Sequence, residues 1–168
     1  MKALLTKVSL NRRFNPTIAA AAIVATTGIA CADTAVVGAV RDIHRGGYGS
    51  MIEYHWTETL AAKRNWSAGW AGAAHTEADK DRWIGFGVSG EYTLTESVFL
   101  EASFMPGYYS KGATDLGGNL HFRTTLGIGY AVSDAYALSL AVSHWSNGGI
   151  ETRNPGTDMV MLRLLWRY

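Results

Sequence analysis

Residues 82–104, RWIGFGVSGEYTLTESVFLEASF, decide the fold. Ile84, Phe86, Val88, Tyr92 and Leu94 share one parity, and Gly85, Gly87, Ser89, Glu91 and Thr93 share the other. A short turn, Thr95-Glu96, leads into a second run in which Val98, Leu100, Ala102 and Phe104 oppose Glu101 and Ser103. Successive side chains of a strand point to opposite faces, so a period of two reads as a hairpin with one apolar and one polar face.

The same pattern extends in both directions. Strands are expected over 35–43, 48–58, 63–75, 82–94, 97–109, 118–132, 135–146 and 158–168, near the length a tilted membrane strand needs. In the sixth, Leu120, Phe122, Leu126, Ile128 and Tyr130 oppose His121, Arg123, Thr125 and Gly127. In the last, Val160, Leu162, Leu164, Trp166 and Tyr168 oppose Arg163 and Arg167. The polar face thus carries Glu53, His55, Glu91, Glu101, Arg123, Arg163 and Arg167, charges that neutralise one another if they fill an interior.

A soluble two-layer sheet would show the same alternation, and three features decide against it. Thr95-Glu96 and Ser133-Asp134 are short turns, whereas 75–81, 110–117 and 147–157 on the other side are longer, the asymmetry of outer-membrane barrels. Tyr92, Tyr130, Tyr136, Trp166 and Tyr168 gather at strand ends near the short turns, where a membrane interface sits. Tyr168, aromatic and on the apolar face, resembles the terminal assembly signal of such barrels. The expected fold is all-β, an eight-stranded antiparallel transmembrane β-barrel over residues 33–168.

The composition agrees. Nineteen glycines, six tryptophans and eight tyrosines accompany a near balance of 15 Lys+Arg against 14 Asp+Glu, so nothing suggests nucleic acid or a disordered acidic tail. Residues 1–32 read as a signal peptide that is removed. Lys2, Lys7, Arg12 and Arg13 precede a small, apolar stretch over 17–29, and Ala30-Cys31-Ala32 forms an A-x-A cleavage site. Arg12-Arg13 resembles a twin-arginine signal, but a barrel must cross the inner membrane unfolded. Cys31 is the single cysteine, which leaves the mature chain without a disulfide or thiol nucleophile.

The chemistry is expected on the seventh strand. Tyr136, Leu138, Leu140 and Val142 form its apolar face, and the same parity continues to His144 and Ser146. An imidazole and a hydroxyl two residues apart can meet, placing a base beside a nucleophile on the lipid-facing wall. By itself H-x-S is also an ordinary interfacial pair. Beyond it lie Asn147-Gly148-Gly149-Ile150-Glu151 and Asn154-Pro155-Gly156-Thr157-Asp158.

Together these residues resemble the signature of the outer-membrane lipid A 3-O-deacylases, the PagL family: H-x-S-N, a Gly/Asn-rich loop, then an acid opening the final strand. The resemblance is strongest from 141 to 168. It implies hydrolysis of the ester-linked 3-hydroxyacyl chain at position 3 of lipid A, with Ser146 as nucleophile, His144 as general base and an acid to orient it. The acid aligns with Asp158, a departure from the family's usual Glu, and Glu151 is its rival. Gly149 and Asn154 are implied in the oxyanion hole, and Asn147 in supporting the loop. This chemistry needs no metal or cofactor, and His44, His55, His75 and His121 are scattered along the chain. Lipopolysaccharide and outer-membrane lipids are the expected partners, in the outer membrane of a Gram-negative cell with the site near the outer leaflet. A homodimer is compatible with the sequence. A non-catalytic barrel, adhesin or structural, is the alternative. A lipid A acyltransferase, which would hold its donor inside the barrel, is a third.

Overall fold

The computed structural model describes residues 33–168, so the signal-peptide reading over 1–32, with its arginine pair and Cys31, lies outside the described residues. Eight strands follow one another: β1 (Thr34–Asp42), β2 (Tyr48–Lys63), β3 (Trp66–Glu77), β4 (Arg82–Thr93), β5 (Val98–Ser110), β6 (Leu120–Ala131), β7 (Tyr136–Ser146) and β8 (Thr157–Arg167). Each pairs antiparallel with its neighbour, and β8 closes on β1, Thr34 opposite Arg167 and Asp42 opposite Met159. Closure leaves no edge strand, so every backbone ladder is satisfied internally, the condition for crossing a bilayer with strands. No helix of the described residues is long and apolar enough to cross.

The expected parity holds. Phe86, Leu100, Leu126, Leu140 and Leu164 face outward and are exposed, while Arg123 and Arg163 are fully buried inside. Glu53 accepts from Arg123 and Arg163, Glu101 from Arg163 and Ser139, and Glu91 from Arg167 at 2.8 Å. Each of these interior carboxylates therefore has a guanidinium, which offsets the desolvation cost of an unpaired charge. Trp83, Trp145, Tyr109, Met105 and Phe99 fill the remaining space. The rings need glycine opposite them: a Cβ at Gly129 would lie 2.0 Å from Phe99 Cζ. Much of the glycine content serves this interior.

The boundaries differ from expectation at the second hairpin. β2 continues through 59–62, which lie between the second and third expected strands, to Lys63, and only Arg64 and Asn65 separate it from β3. Register shifts between His55 and Thr59 and between Thr59 and Ala61 break the period of two there, which hides the strand from a pattern reading. β3 likewise runs on to Glu77, shortening the third connection to 78–81. The turns after β4 and β6 span 94–97 and 132–135, with the N–H groups of Leu94 and Thr95 both donating to the Val98 carbonyl. The asymmetry between the two barrel ends therefore rests on the long connections 111–119 and 147–156, opposite the end where β1 starts and β8 finishes.

Candidate active site

Trp145 determines which way its neighbours point. Its indole is buried inside the barrel, donates from Nε1 to Ser143 Oγ at 2.9 Å, and packs against Trp83 (centroids 5.3 Å) and edge-on to His75 (4.7 Å). With 143 and 145 held inside, 144 and 146 must face out. β8 is fixed in the same way: Met159 is buried, and Thr157 is buried with its hydroxyl donating to Asp42 Oδ2 at 2.7 Å, so Asp158 faces outward.

The ladder then brings the base and the acid together. His144 is the register partner of Asp158, and Nδ1 lies 2.7 Å from Oδ1. With Nδ1–H donating to the carboxylate, Nε2 is the nitrogen left to accept a proton. Ser146, half-buried, lies one outward step further along β7, with Phe122 as its register partner on the other side. Phe122 stacks on Phe104, centroids 5.8 Å and planes 10° apart, so an aromatic surface adjoins the serine.

The loop 147–156 is organised by Asn147, which is fully buried. Its Nδ2 donates to the carbonyls of Gly117 (2.9 Å) and Arg153 (2.8 Å), its Oδ1 accepts from Gly149 N–H (2.9 Å), and its own N–H donates to Asn154 Oδ1 (3.0 Å). Gly148, Gly149 and Gly156 all take positive φ, the conformation that favours glycine. The N–H of Gly149 is thus engaged by Asn147, and the carbonyl of the Asn154 side chain is spent on the Asn147 backbone, which leaves the Asn154 amide N–H₂ as a donor. Glu151 lies elsewhere: its side chain covers Gly118 of the neighbouring loop, where a Cβ would meet Glu151 Cγ at 2.7 Å.

Two residues of this site carried no sequence signal. His44, counted above among scattered histidines, places Nε2 2.8 Å from Asp158 Oδ2 although 114 residues separate them. Gly156, which reads as turn chemistry, lies under the His144 ring: a Cβ there would be 3.2 Å from Cε1 and 3.7 Å from Nε2. Of groups with metal-ligand spacing among the described residues, Glu77, Asp79 and Asp81 bring carboxylate oxygens within 4.8 Å of one another at the β3–β4 connection. Alternating carboxylates on a strand end escape a search for histidine clusters. Asp81 Oδ1 there accepts from the backbone of Gly112 and Thr114, tying the two connections together.

Known proteins resemble this chain throughout the barrel. A family model described as Lipid A 3-O-deacylase (PagL) matches residues 46–167. The lipid A deacylase PagL of Bordetella bronchiseptica (strain ATCC BAA-588 / NCTC 13252 / RB50) is 32% identical over 86 residues, which are 51% of this chain and 44% of that protein, so the match spans less than half of the relative's length. Among solved structures, the outer membrane enzyme PagL superposes with a TM-score of 0.64 at 20% identity, covering 82% of this chain and 100% of that one. Neisserial surface protein A follows the same barrel at 0.53 and 15%, covering 81% and 96%. A designed transmembrane β-barrel does so at 0.59 and 9%, covering 82% and 95%. At these identities the structural matches show the fold, and the family model shows the kinship: this chain is an eight-stranded barrel of the outer-membrane kind and belongs to the lipid A 3-O-deacylase (PagL) family.

Proposed function

We propose that this protein is a lipid A 3-O-deacylase of the Gram-negative outer membrane, working through Ser146, His144 and Asp158 near the outer leaflet. The observation that carries the reading is the His144 Nδ1–Asp158 Oδ1 contact of 2.7 Å on the outward face of the barrel, with Ser146 on that same face. A polar triplet on a lipid-facing wall costs free energy that a purely structural barrel has no reason to meet. The interior is packed with large side chains, so a lipid substrate approaches from the membrane side.

In the first step Ser146 Oγ attacks the carbonyl carbon of the acyl ester and its proton passes to His144 Nε2. Asp158 holds the ring in the tautomer that leaves Nε2 free and stabilises the imidazolium that forms. The tetrahedral oxyanion takes a hydrogen bond from the Asn154 amide, and the Gly149 N–H joins if it turns from Asn147 Oδ1. Collapse breaks the bond to the sugar oxygen, which receives the proton from His144 and departs as the 3-hydroxyl. Water then gives a proton to His144 and attacks the acyl carbonyl carbon; the bond to Ser146 Oγ breaks, His144 returns the proton to that oxygen, and the 3-hydroxy fatty acid leaves. The stacked Phe122 and Phe104 give the acyl chain an apolar bed beside the nucleophile. The residues ahead of Asp33 act as a signal peptide, cleaved after Ala32.

Mass spectrometry of lipid A from cells with and without this protein tests the proposal. Loss of a single 3-hydroxyacyl chain in its presence is expected, and lipid A of unchanged mass sinks it.

A further inference from the structure

We propose that His44 is a positioning residue of the reaction: it holds the second oxygen of Asp158 and so fixes the carboxylate plane against which His144 is oriented. The proposal rests on the deacylase reading above and names a member of the site that lies outside its triad.

The contact is built into the fold. His44 sits in the connection between β1 and β2. Asp42, fully buried at the end of β1, accepts from the backbone N–H groups of His44 and Arg45, each at 2.8 Å, through Oδ1. Its Oδ2 accepts from Thr157 Oγ1 at 2.7 Å and pairs with the Arg45 guanidinium. The next N–H, that of Ile43, donates to the Asp158 carbonyl at 3.0 Å, and Gly46 N–H closes the turn on the Asp42 carbonyl at 3.0 Å. The connection is therefore clipped to β8 at Thr157 and at the backbone of Asp158 itself, and His44 Nε2 reaches Asp158 Oδ2 at 2.8 Å.

The physical need is specific to a short acid. The terminal torsion of a carboxylate is broad, so one hydrogen bond to His144 leaves its plane free to turn. A donor on each oxygen removes that freedom. Asp158 is one methylene shorter than the glutamate of the family pattern, and a second imidazole from the neighbouring strand pair keeps it facing His144. An exposed histidine–carboxylate contact adds little to stability, so it is better explained by orientation than by folding energy.

The test uses the full chain refolded in detergent micelles, with 3-hydroxy fatty acid release from lipid A as the assay and unboiled gel mobility as the folding control. His44→Ala is expected to lower kcat by about 10- to 100-fold with KM within about twofold. His44→Gln, whose amide can donate to the same oxygen, is expected to restore most of kcat. In an Asp158→Asn background His44→Ala is expected to add nothing, because the two residues act as one unit. A His44→Ala kcat within about twofold of native, or the same fold loss in the Asp158→Asn background, overturns the proposal. A readout independent of turnover is the side-chain nitrogen resonances of the histidines. Asp158→Asn should move those of both His44 and His144, and an unmoved His44 resonance overturns the assignment. If both move but the native protein releases no fatty acid, the deacylase reading fails while the contact on Asp158 stands.

Discussion

The imidazole of His144 lies over Gly156, so close that a Cβ at 156 would sit 3.2 Å from its Cε1. His144 lies near the end of β7 and Gly156 just ahead of β8, and the absent side chain leaves the space that the ring edge carrying Cε1 and Nε2 occupies while Nδ1 faces Asp158. Gly156 also has φ of 62°, which an L-residue adopts only at a cost. Gly156→Ala is expected to lower barrel stability by about 1–2 kcal/mol. It is also expected to reduce turnover by about 10-fold or more through displacement of the ring. Comparing thermal unfolding with kcat checks both halves, and a fall in stability with unaltered kcat would show that the ring does not depend on this space.

Ser146→Ala and His144→Ala should each leave a folded barrel and reduce deacylation by several orders of magnitude, on the order of 10⁴-fold or more. Both sit at the end of β7, outside the packed interior, so gel mobility should be unchanged. Asp158→Glu should retain activity, since it keeps a carboxylate beside His144. Glu151→Ala should be close to silent, because that side chain covers Gly118 rather than the histidine. Full activity in Ser146→Ala would remove the nucleophile assignment.

Asn147→Ala should loosen the site without opening the barrel. It removes two donations to the Gly117 and Arg153 carbonyls and the acceptor of Gly149 N–H, leaving buried groups unpaired at about 1–3 kcal/mol each before the loop relaxes. Faster hydrogen exchange over 147–156 and a lower kcat are the expected signs, with strand amides unaffected.

The interior and the wall should respond oppositely to charge. Arg123→Ala leaves Glu53 with a weakened set of partners in a buried site and should cost about 3–5 kcal/mol. Leu140→Arg places a charge on the outer wall in mid-strand and should cost about 2–4 kcal/mol. Leu140→Phe should be tolerated. Urea titrations in lipid vesicles distinguish the three.

Amino-terminal sequencing of protein recovered from outer membranes should begin at Asp33. A start at any other residue overturns the cleavage site.

Much of the fold was legible in the residues themselves, because a strand buried on one side and lipid-facing on the other writes its parity directly into the chain. Ile84, Phe86 and Val88, alternating with small and charged residues, needed no partner to be read as a wall. The same parity sent His144, Ser146 and Asp158 outward, and the family resemblance supplied their expected roles. Where the period broke, between His55 and Ala61, the reading lost the end of β2. A bulge shifts alternation, and nothing local announces it.

Tertiary structure decided the rest. Sequence could match Asp158 to a family position, but its contact with His144 depends on the β7–β8 register, which the intervening loop does not specify. His44 lay 114 residues from its partner, and only closure of β8 onto β1 brings that connection to the acid. Gly156 looked like one more turn glycine until the ring above it was placed. Local patterning determines which face a side chain occupies. Which side chains meet on that face is set by register and barrel closure, and these depend on every strand at once.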